Sequence, residues 1–123
     1  MATAQFNLGI CYEKGDGVAA DAAQAVSWYT RAAEAGNANA QCNLGVCYEK
    51  GKGVAADAAQ AVAWYTRAAE AGDADAQHNL GCCYANGTGV ARDLEKARTW
   101  LARAATGGDA KAAAALAALD APP

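Results

Sequence analysis

The chain has 123 residues, a formal net charge of −3 at pH 7 and a hydrophobic fraction of 54%. That length suits one domain, and 37 alanines supply much of the apolar content, so the core must come from close helix packing. The basic residues are scattered, which argues against a nucleic-acid partner, and no apolar run approaches the ~20 residues that cross a bilayer.

A block of sequence recurs along the chain at a fixed spacing. The stretch "NLGICYEKGDGVAADAAQAVSWYTRAAEAG" begins at Asn7, a near copy begins at Asn43 and a looser copy begins at Asn79, each 36 residues after the last. This period is typical of helical solenoids, in which stacked units bury the apolar faces that a single unit leaves exposed. The sequence therefore predicts one domain over 1–123, with units at about 4–39, 40–75 and 76–111.

The sequence of each unit predicts two helices. The middle unit shows the local signals that mark its first helix. Asn37 is an N-cap residue, and Asp73 and Asp109 recur at its position. The helix then runs through "ANAQCNLGVCYEK", in which Leu44 and Tyr48 share one face. Gly45 lies inside this helix, where glycine costs about 1 kcal/mol relative to alanine. We expect that it allows a close approach by the partner helix.

The second helix of the unit follows a short turn. Gly51 can take the left-handed conformation that ends a helix, and Val54 is expected to tuck under the "GKGV" turn. Asp57 is the next N-cap, and Gln60 stands three residues later, as in a capping box. The predicted apolar stripe of this helix comprises Ala61, Tyr65, Ala68 and Ala69.

The two ends of the chain differ. The tail "DAKAAAALAALDAPP" restarts a first helix, with Leu116 at the position of Leu80, and Pro122 and Pro123 stop it. It predicts a capping helix at about 109–120. The first helix starts at or just after Met1 without an Asn or Asp cap, so the N-terminal end is predicted to be uncapped and prone to self-association.

The pattern "AQxNLGxCYxxGxGVxxDxxxAxxW" resembles the Sel-1-like repeat, a subclass of the tetratricopeptide-like α/α solenoids. The resemblance runs from Ala4 to Lys111, and it departs from the pattern at Leu101, which replaces the tyrosine of the Trp-Tyr pair. It implies an all-α, right-handed solenoid and a non-catalytic scaffold or adaptor role. Some cysteine-rich bacterial members are described as binding β-lactam antibiotics, with a cysteine pair joining the two helices. The second helices here contain no cysteine, so that framework is absent.

The candidate chemical groups do not assemble into a catalytic or metal site. The five cysteines all lie on first helices, and those at equivalent positions are too far apart for disulfides, so we interpret them as reduced, buried thiols. His78 and Cys82 are four residues apart, which could supply two zinc ligands where a closed site needs four. The sequence predicts no enzyme activity, no cofactor and no metal. No secretion signal is visible, which predicts a cytoplasmic location.

Two sets of equivalent first-helix positions change residue type between units, while the stacking positions stay fixed. The first set, or column, is Phe6, Cys42 and His78, and the second is Ile10, Val46 and Cys82. By the resemblance they line a groove, together with the asparagine that follows the first column. The predicted groove residues are Phe6, Asn7, Ile10, Cys42, Asn43, Val46, His78, Asn79 and Cys82. The asparagine amides suit an extended peptide backbone, but a structural hydrogen bond to the neighbouring unit explains them equally well.

Two functions follow from these observations. The first is a scaffold or adaptor that presents the groove to a protein or an extended peptide. The alternative is a structural assembly unit, natural or engineered, that associates end to end and has no ligand of its own. The first two units agree at 30 of 36 positions, which would suit recent duplication or consensus design.

Overall fold

The computed structural model describes residues 1–120. Within them the chain forms α1 Ala2–Lys14, α2 Ala22–Glu34, α3 Ala38–Lys50, α4 Ala58–Glu70, α5 Ala74–Asn86, α6 Leu94–Thr106 and α7 Ala110–Asp120. The helices pack in the pairs α1/α2, α3/α4 and α5/α6, each pair packs on the next, and α7 packs on α6. The predicted α/α solenoid is confirmed, with α7 in the place of the predicted cap. Pro122 and Pro123 lie outside the described residues.

The predicted helix caps are present in the middle unit. The Asn37 side chain accepts the amide of Ala40 at 2.9 Å, and that of Asp57 accepts the amide of Gln60 at 3.1 Å. The second half of the capping box is replaced, because the Asp57 amide donates to the Tyr48 carbonyl at 2.9 Å. This bond ties the second helix to the end of the first, and it recurs between Asp21 and Tyr12 and between Asp93 and Tyr84.

Gly45 is where the two helices of a unit meet most closely. A Cβ placed on Gly45 would lie 2.6 Å from the ring of Tyr65. Gly9 meets Tyr29 in the same way, and Gly81 meets Leu101 at 2.7 Å. The predicted close approach is confirmed, and the side chain that requires it is the one following the tryptophan of each second helix.

The glycine turn of each unit packs on the preceding unit. Gly51 ends α3 in the left-handed conformation at φ 70°, as predicted. Gly53 has φ 74°, and a side chain there would collide with the carbonyl of Ala22 in the unit before. Gly89 meets Ala58 in the same manner, whereas Gly17 in the first unit has nothing within 4 Å.

The core lies at the junctions between units. Junction 1, between the first two units, is built on Tyr29, Ala32, Ala33, Leu44 and Cys47. Junction 2, between the second and third units, is built on Tyr65, Ala68, Ala69, Leu80 and Cys83. Trp64 packs against junction 1 and Trp100 against junction 2. A third cluster joins α6 to α7 through Leu101, Ala104 and Ala112.

The N-terminal end leaves its stacking residues uncovered. Leu8 is 40% exposed, while its equivalents Leu44 and Leu80 are fully buried. Val18 is also 40% exposed, although its equivalent Val54 packs against junction 1. The difference arises because, within residues 1–120, no helix pair packs on the side of the first unit where Leu8 and Val18 lie.

Candidate functional site

Two clefts open between successive first helices, and they occupy equivalent places at the two junctions. The first cleft holds about 90 Å³ and is lined by Glu13, Asn43, Val46, Cys47 and Lys52. The second cleft holds about 70 Å³ and is lined by Glu49, Asn79, Cys82, Cys83, Asn86 and Thr88. Five of these six positions match the first cleft at a spacing of 36. We call the surface that carries both clefts the first-helix face.

The first cleft contains its own cation. Tyr29 donates its hydroxyl to Oε1 of Glu13, and the Lys52 ammonium lies 3.2 Å from Oε2 of the same carboxylate. Burial alone would raise the pKa of Glu13, but the hydrogen bonds from Tyr29 and Lys52 outweigh burial and lower that pKa. The ion pair in this cleft therefore joins the first unit to the turn of the second.

The second cleft keeps the carboxylate and changes the cation position. Tyr65 donates its hydroxyl to Oε1 of Glu49 at 2.7 Å, as Tyr29 does to Glu13. Thr88, which also lines this cleft, stands at the position of Lys52 and carries no charge. Cys82 replaces Val46 on the wall, and its Sγ lies 3.6 Å from Nε2 of His78.

The thiols beside the clefts are held in the neutral form. Burial, with negative charge on Asp73 and Asp75, raises the pKa of Cys42 to about 12. Burial, with the charge of Glu49, raises the pKa of Cys83 to about 11. The pKa of Cys82 is also raised by burial and then by Glu49 and Asp109. These thiols are poor nucleophiles at neutral pH, because the thiolate is the reactive form.

The structure divides the nine predicted groove residues into three groups. Asn43, Val46, Asn79 and Cys82 line the clefts. Phe6 and Ile10 pack against junction 1, and Cys42 is buried in junction 2 with 6% exposure, so Cys42 offers almost no surface to a partner. Asn7 is exposed at the N-terminal end, and His78 is half-buried beside Cys82.

The asparagine column makes bonds to the preceding unit. The Asn43 side chain hydrogen-bonds to the Tyr29 hydroxyl, which is already bonded to Glu13. Asn79 donates its amide to Sγ of Cys42 at 3.9 Å. These contacts favour the structural explanation of the asparagines, while their position in the clefts also leaves them within reach of a ligand.

Sequence reasoning missed the carboxylates and the turn residues that define the clefts. Glu13 and Glu49 pair with Tyr29 and Tyr65, sixteen residues on, whereas the third unit has Ala85 and Leu101 at those positions. Glutamate and tyrosine are thus lost together. This joint change is the signal in the amino-acid sequence that could have indicated the contact between the two columns.

A broader depression lies beside the last turn. It holds about 440 Å³ and is lined by Ala74, Asp75, Gly107, Gly108, Asp109, Ala110 and Lys111. Asp109 in this depression already caps α7 by accepting the amides of Lys111 and Ala112. Its lining is mostly glycine and alanine, and one of its two carboxylates is engaged in helix capping.

The second helices carry a recurring tryptophan and arginine pair. The guanidinium of each arginine lies over the tryptophan ring three residues earlier, at 4.7 Å for Arg31 over Trp28 and 4.8 Å for Arg103 over Trp100. Arg67 repeats the contact over Trp64 at 4.7 Å. Such cation–π contacts stabilise side chains within the helix.

Residues 1–120 contain neither a metal-binding cluster nor a membrane-spanning helix. Within this range, no group of three His, Cys, Asp or Glu side chains is arranged to hold a metal ion. None of the helices in the same range is long and apolar enough to cross a membrane.

Comparison with known families and structures gives consistent matches. The Sel1 repeat family model matches residues 2–37, 38–73 and 74–109, so each matched segment begins at or next to the start of a first helix. A comparison with curated proteins finds no match.

Solved structures of similar proteins share the solenoid. A protective antigen of uropathogenic Escherichia coli that displays an SLR fold is 44% identical, with a TM-score of 0.89 over 90% of this chain and 24% of that chain. A Sel1 repeat protein from Oxalobacter formigenes is 42% identical, with a TM-score of 0.91 over 94% of this chain and 47% of that chain. Helicobacter pylori cysteine rich protein B is 28% identical, with a TM-score of 0.72 over 76% of this chain and 70% of that chain.

Proposed function

This chain belongs to the Sel1 repeat family, whose members are generally non-catalytic helical-repeat scaffolds, and we propose that it binds an extended segment of a partner protein along its first-helix face. The observation that supports this face is the pair of clefts at a spacing of 36 residues. Both clefts contain a glutamate, an asparagine and a cysteine at equivalent positions, while Val46 and Lys52 of the first cleft are replaced by Cys82 and Thr88 in the second. Packing between units does not by itself require polar clefts at the surface.

The binding face can be tested by site-specific photocrosslinking. A photoreactive phenylalanine analogue at Asn86, on the rim of the second cleft, should crosslink to a partner captured from cell extract. The same analogue at Ala63, exposed on α4, is the matched control. Mass spectrometry of the crosslinked band identifies the partner. Equal crosslinking from Ala63, or crosslinking from Ala63 alone, would place the interface away from the first-helix face.

End-to-end assembly is the second candidate, and the exposed N-terminal residues favour it. Leu8 and Val18 present apolar surface that their equivalents bury against a preceding unit. A second copy could cover this surface. Light scattering over a range of protein concentrations should then show a dimer or a longer oligomer that Leu8→Gln dissociates. A monomer at all concentrations contradicts assembly and leaves partner binding untouched.

The predicted cytoplasmic location stays a prediction, as does the reduced state of the cysteines. All five are free thiols in the structure. Titration in denaturant without reductant should find about as many reactive groups as cysteines. A protein purified under reducing, anaerobic conditions that titrates two or more short would contradict the prediction.

A further inference from the structure

The two clefts offer one carboxylate each, in the same local geometry. At the first cleft, Tyr29 holds Oε1 of Glu13 and Lys52 lies against Oε2. At the second cleft, Tyr65 holds Oε1 of Glu49, which leaves Oε2 as the oxygen that corresponds to the one facing Lys52. The first cleft thus shows what kind of group this geometry accommodates, namely the ammonium of a lysine that comes from the neighbouring turn.

The second cleft lacks that lysine because Thr88 replaces it. Thr88 and Glu49 line the same cleft of about 70 Å³, and the threonine side chain supplies no cation to the Glu49 carboxylate. The other polar groups of its lining are the Asn79 and Asn86 amides and the Thr88 hydroxyl, all of which offer acceptor oxygens. An ammonium group has three donors and no acceptor, so it suits a cleft that combines a carboxylate with neutral oxygens.

We propose that the second cleft binds the side-chain ammonium of a lysine in the partner segment, which takes the place that Lys52 occupies at the first cleft. This inference rests on the proposed function, because it assumes that a partner segment runs along the first-helix face. It adds the chemistry of the partner and the position at which that chemistry is recognised.

The surroundings of the second cleft favour a cation over a neutral or anionic group. Glu49 and Asp109 both act electrostatically on Cys82, in the cleft wall, and Asp73 and Asp75 act on Cys42 nearby. At the first cleft, by contrast, Lys52 offsets the effect of Glu13 on Cys47. Positive charge on a partner is therefore attracted to the second cleft more strongly than to the first, and salt should weaken the attraction.

A peptide-display selection can test both the face and the lysine. The probe is a random heptapeptide library displayed on phage and selected against the intact chain. Peptides that bind should share a lysine at one position. Replacing this lysine by norleucine, which keeps the aliphatic chain and removes the charge, should weaken binding about tenfold in a synthetic peptide.

Three variants of the chain locate the effect. Thr88→Lys supplies the ammonium internally, as Lys52 does, and Glu49→Gln removes the charge while keeping an oxygen for Tyr65. Both should reduce the tenfold preference for lysine over norleucine to about onefold. Thr106→Lys makes the same substitution on the exposed end of α6 and should keep the preference. Circular dichroism checks that each variant is folded.

The outcomes separate the two proposals. Selected peptides that bind the first-helix face with equal affinity for lysine and norleucine would overturn the lysine inference and leave the proposed function standing. A lysine preference that survives in both Thr88→Lys and Glu49→Gln would likewise overturn it. Selection of no peptide at all, together with crosslinking from Ala63 only, would overturn the proposed function and the inference with it.

Discussion

Junctions 1 and 2 are built on the same backbone and differ in the chemistry of their clefts. Both place a tyrosine ring over a glycine and bury a leucine and a cysteine at equivalent positions. Both tie that tyrosine to a glutamate of the preceding helix. At junction 1 the glutamate pairs with Lys52, whereas at junction 2 its counterpart shares a cleft with the uncharged Thr88.

The difference shows which positions the stack constrains. Apolar residues and glycines repeat because a change in volume at a packed junction creates a cavity or a clash. The residue at the centre of the glycine turn is exposed or half-exposed in each unit, so it can change without disturbing the core. Charge at the first-helix face can therefore vary between units at little cost in stability.

The largest expected effect comes from the shared core. Tyr29 and Tyr65 are both fully buried or nearly so, and truncation of either to alanine should cost about 3–5 kcal/mol. Urea unfolding followed by circular dichroism measures the change. We expect Tyr65→Ala to disrupt the whole chain, because its cluster joins the second and third units. A loss below about 1 kcal/mol for either variant would contradict the core described above.

The next effect tests the pairing of glutamate with tyrosine. Tyr65→Leu should cost about 1–3 kcal/mol, because it leaves the Glu49 carboxylate without its donor and removes ring volume from the core. Adding Glu49→Ala recreates the combination of Ala85 and Leu101 found in the third unit. The unfolding free energy lost in the double variant should be about 0.5–1.5 kcal/mol smaller than the sum of the losses in the two single variants. Strictly additive unfolding free energies would show that the two columns vary independently.

A smaller effect distinguishes the junctions from the free end. Asn43 bonds to Tyr29 of the preceding unit, so Asn43→Ala should cost about 1 kcal/mol. Asn7 is exposed and precedes both junctions, so Asn7→Ala should be neutral or slightly stabilising through helix propensity. Thermal unfolding of the two variants side by side provides the measurement. Equal shifts in Tm would mean that the bond between units contributes nothing.

The smallest effect concerns the ion pair of the first cleft. Lys52→Thr should cost about 0.2–1 kcal/mol at pH 7, because both side chains are about a third or more exposed and water screens them. Folding lowers the pKa of Glu13 from its usual 4.5, so the stabilisation is complete above that value and is lost as the pH falls through the folded pKa. The Tm difference between Lys52→Thr and the parent chain should thus shrink at pH 3 and in 1 M salt. A difference that is the same under all conditions would exclude an electrostatic origin.

Much of the fold could be predicted from local sequence signals. The period of 36, the caps Asn37 and Asp57 and the C-terminal Gly51 predict helices that the structure reproduces. These signals work because a cap or a helix-ending glycine acts within one turn of its own residue. Glycine destabilises a helix interior, so the presence of Gly45 in α3 also predicted a close contact that offsets this cost.

The tertiary structure decided what the local signals could not. That Tyr65 covers Gly45 and that Glu49 bonds to Tyr65 depend on how the two helices of a unit pack together. That Thr88 shares a cleft with Glu49 depends on how the next unit stacks. The period gives the number and length of the units, but their relative orientation emerges from packing of side chains that are distant in sequence. The sequence by itself therefore determined a helical solenoid and the residue types at Lys52 and Thr88, and stacking decided that each of them shares a cleft with a glutamate of the preceding unit.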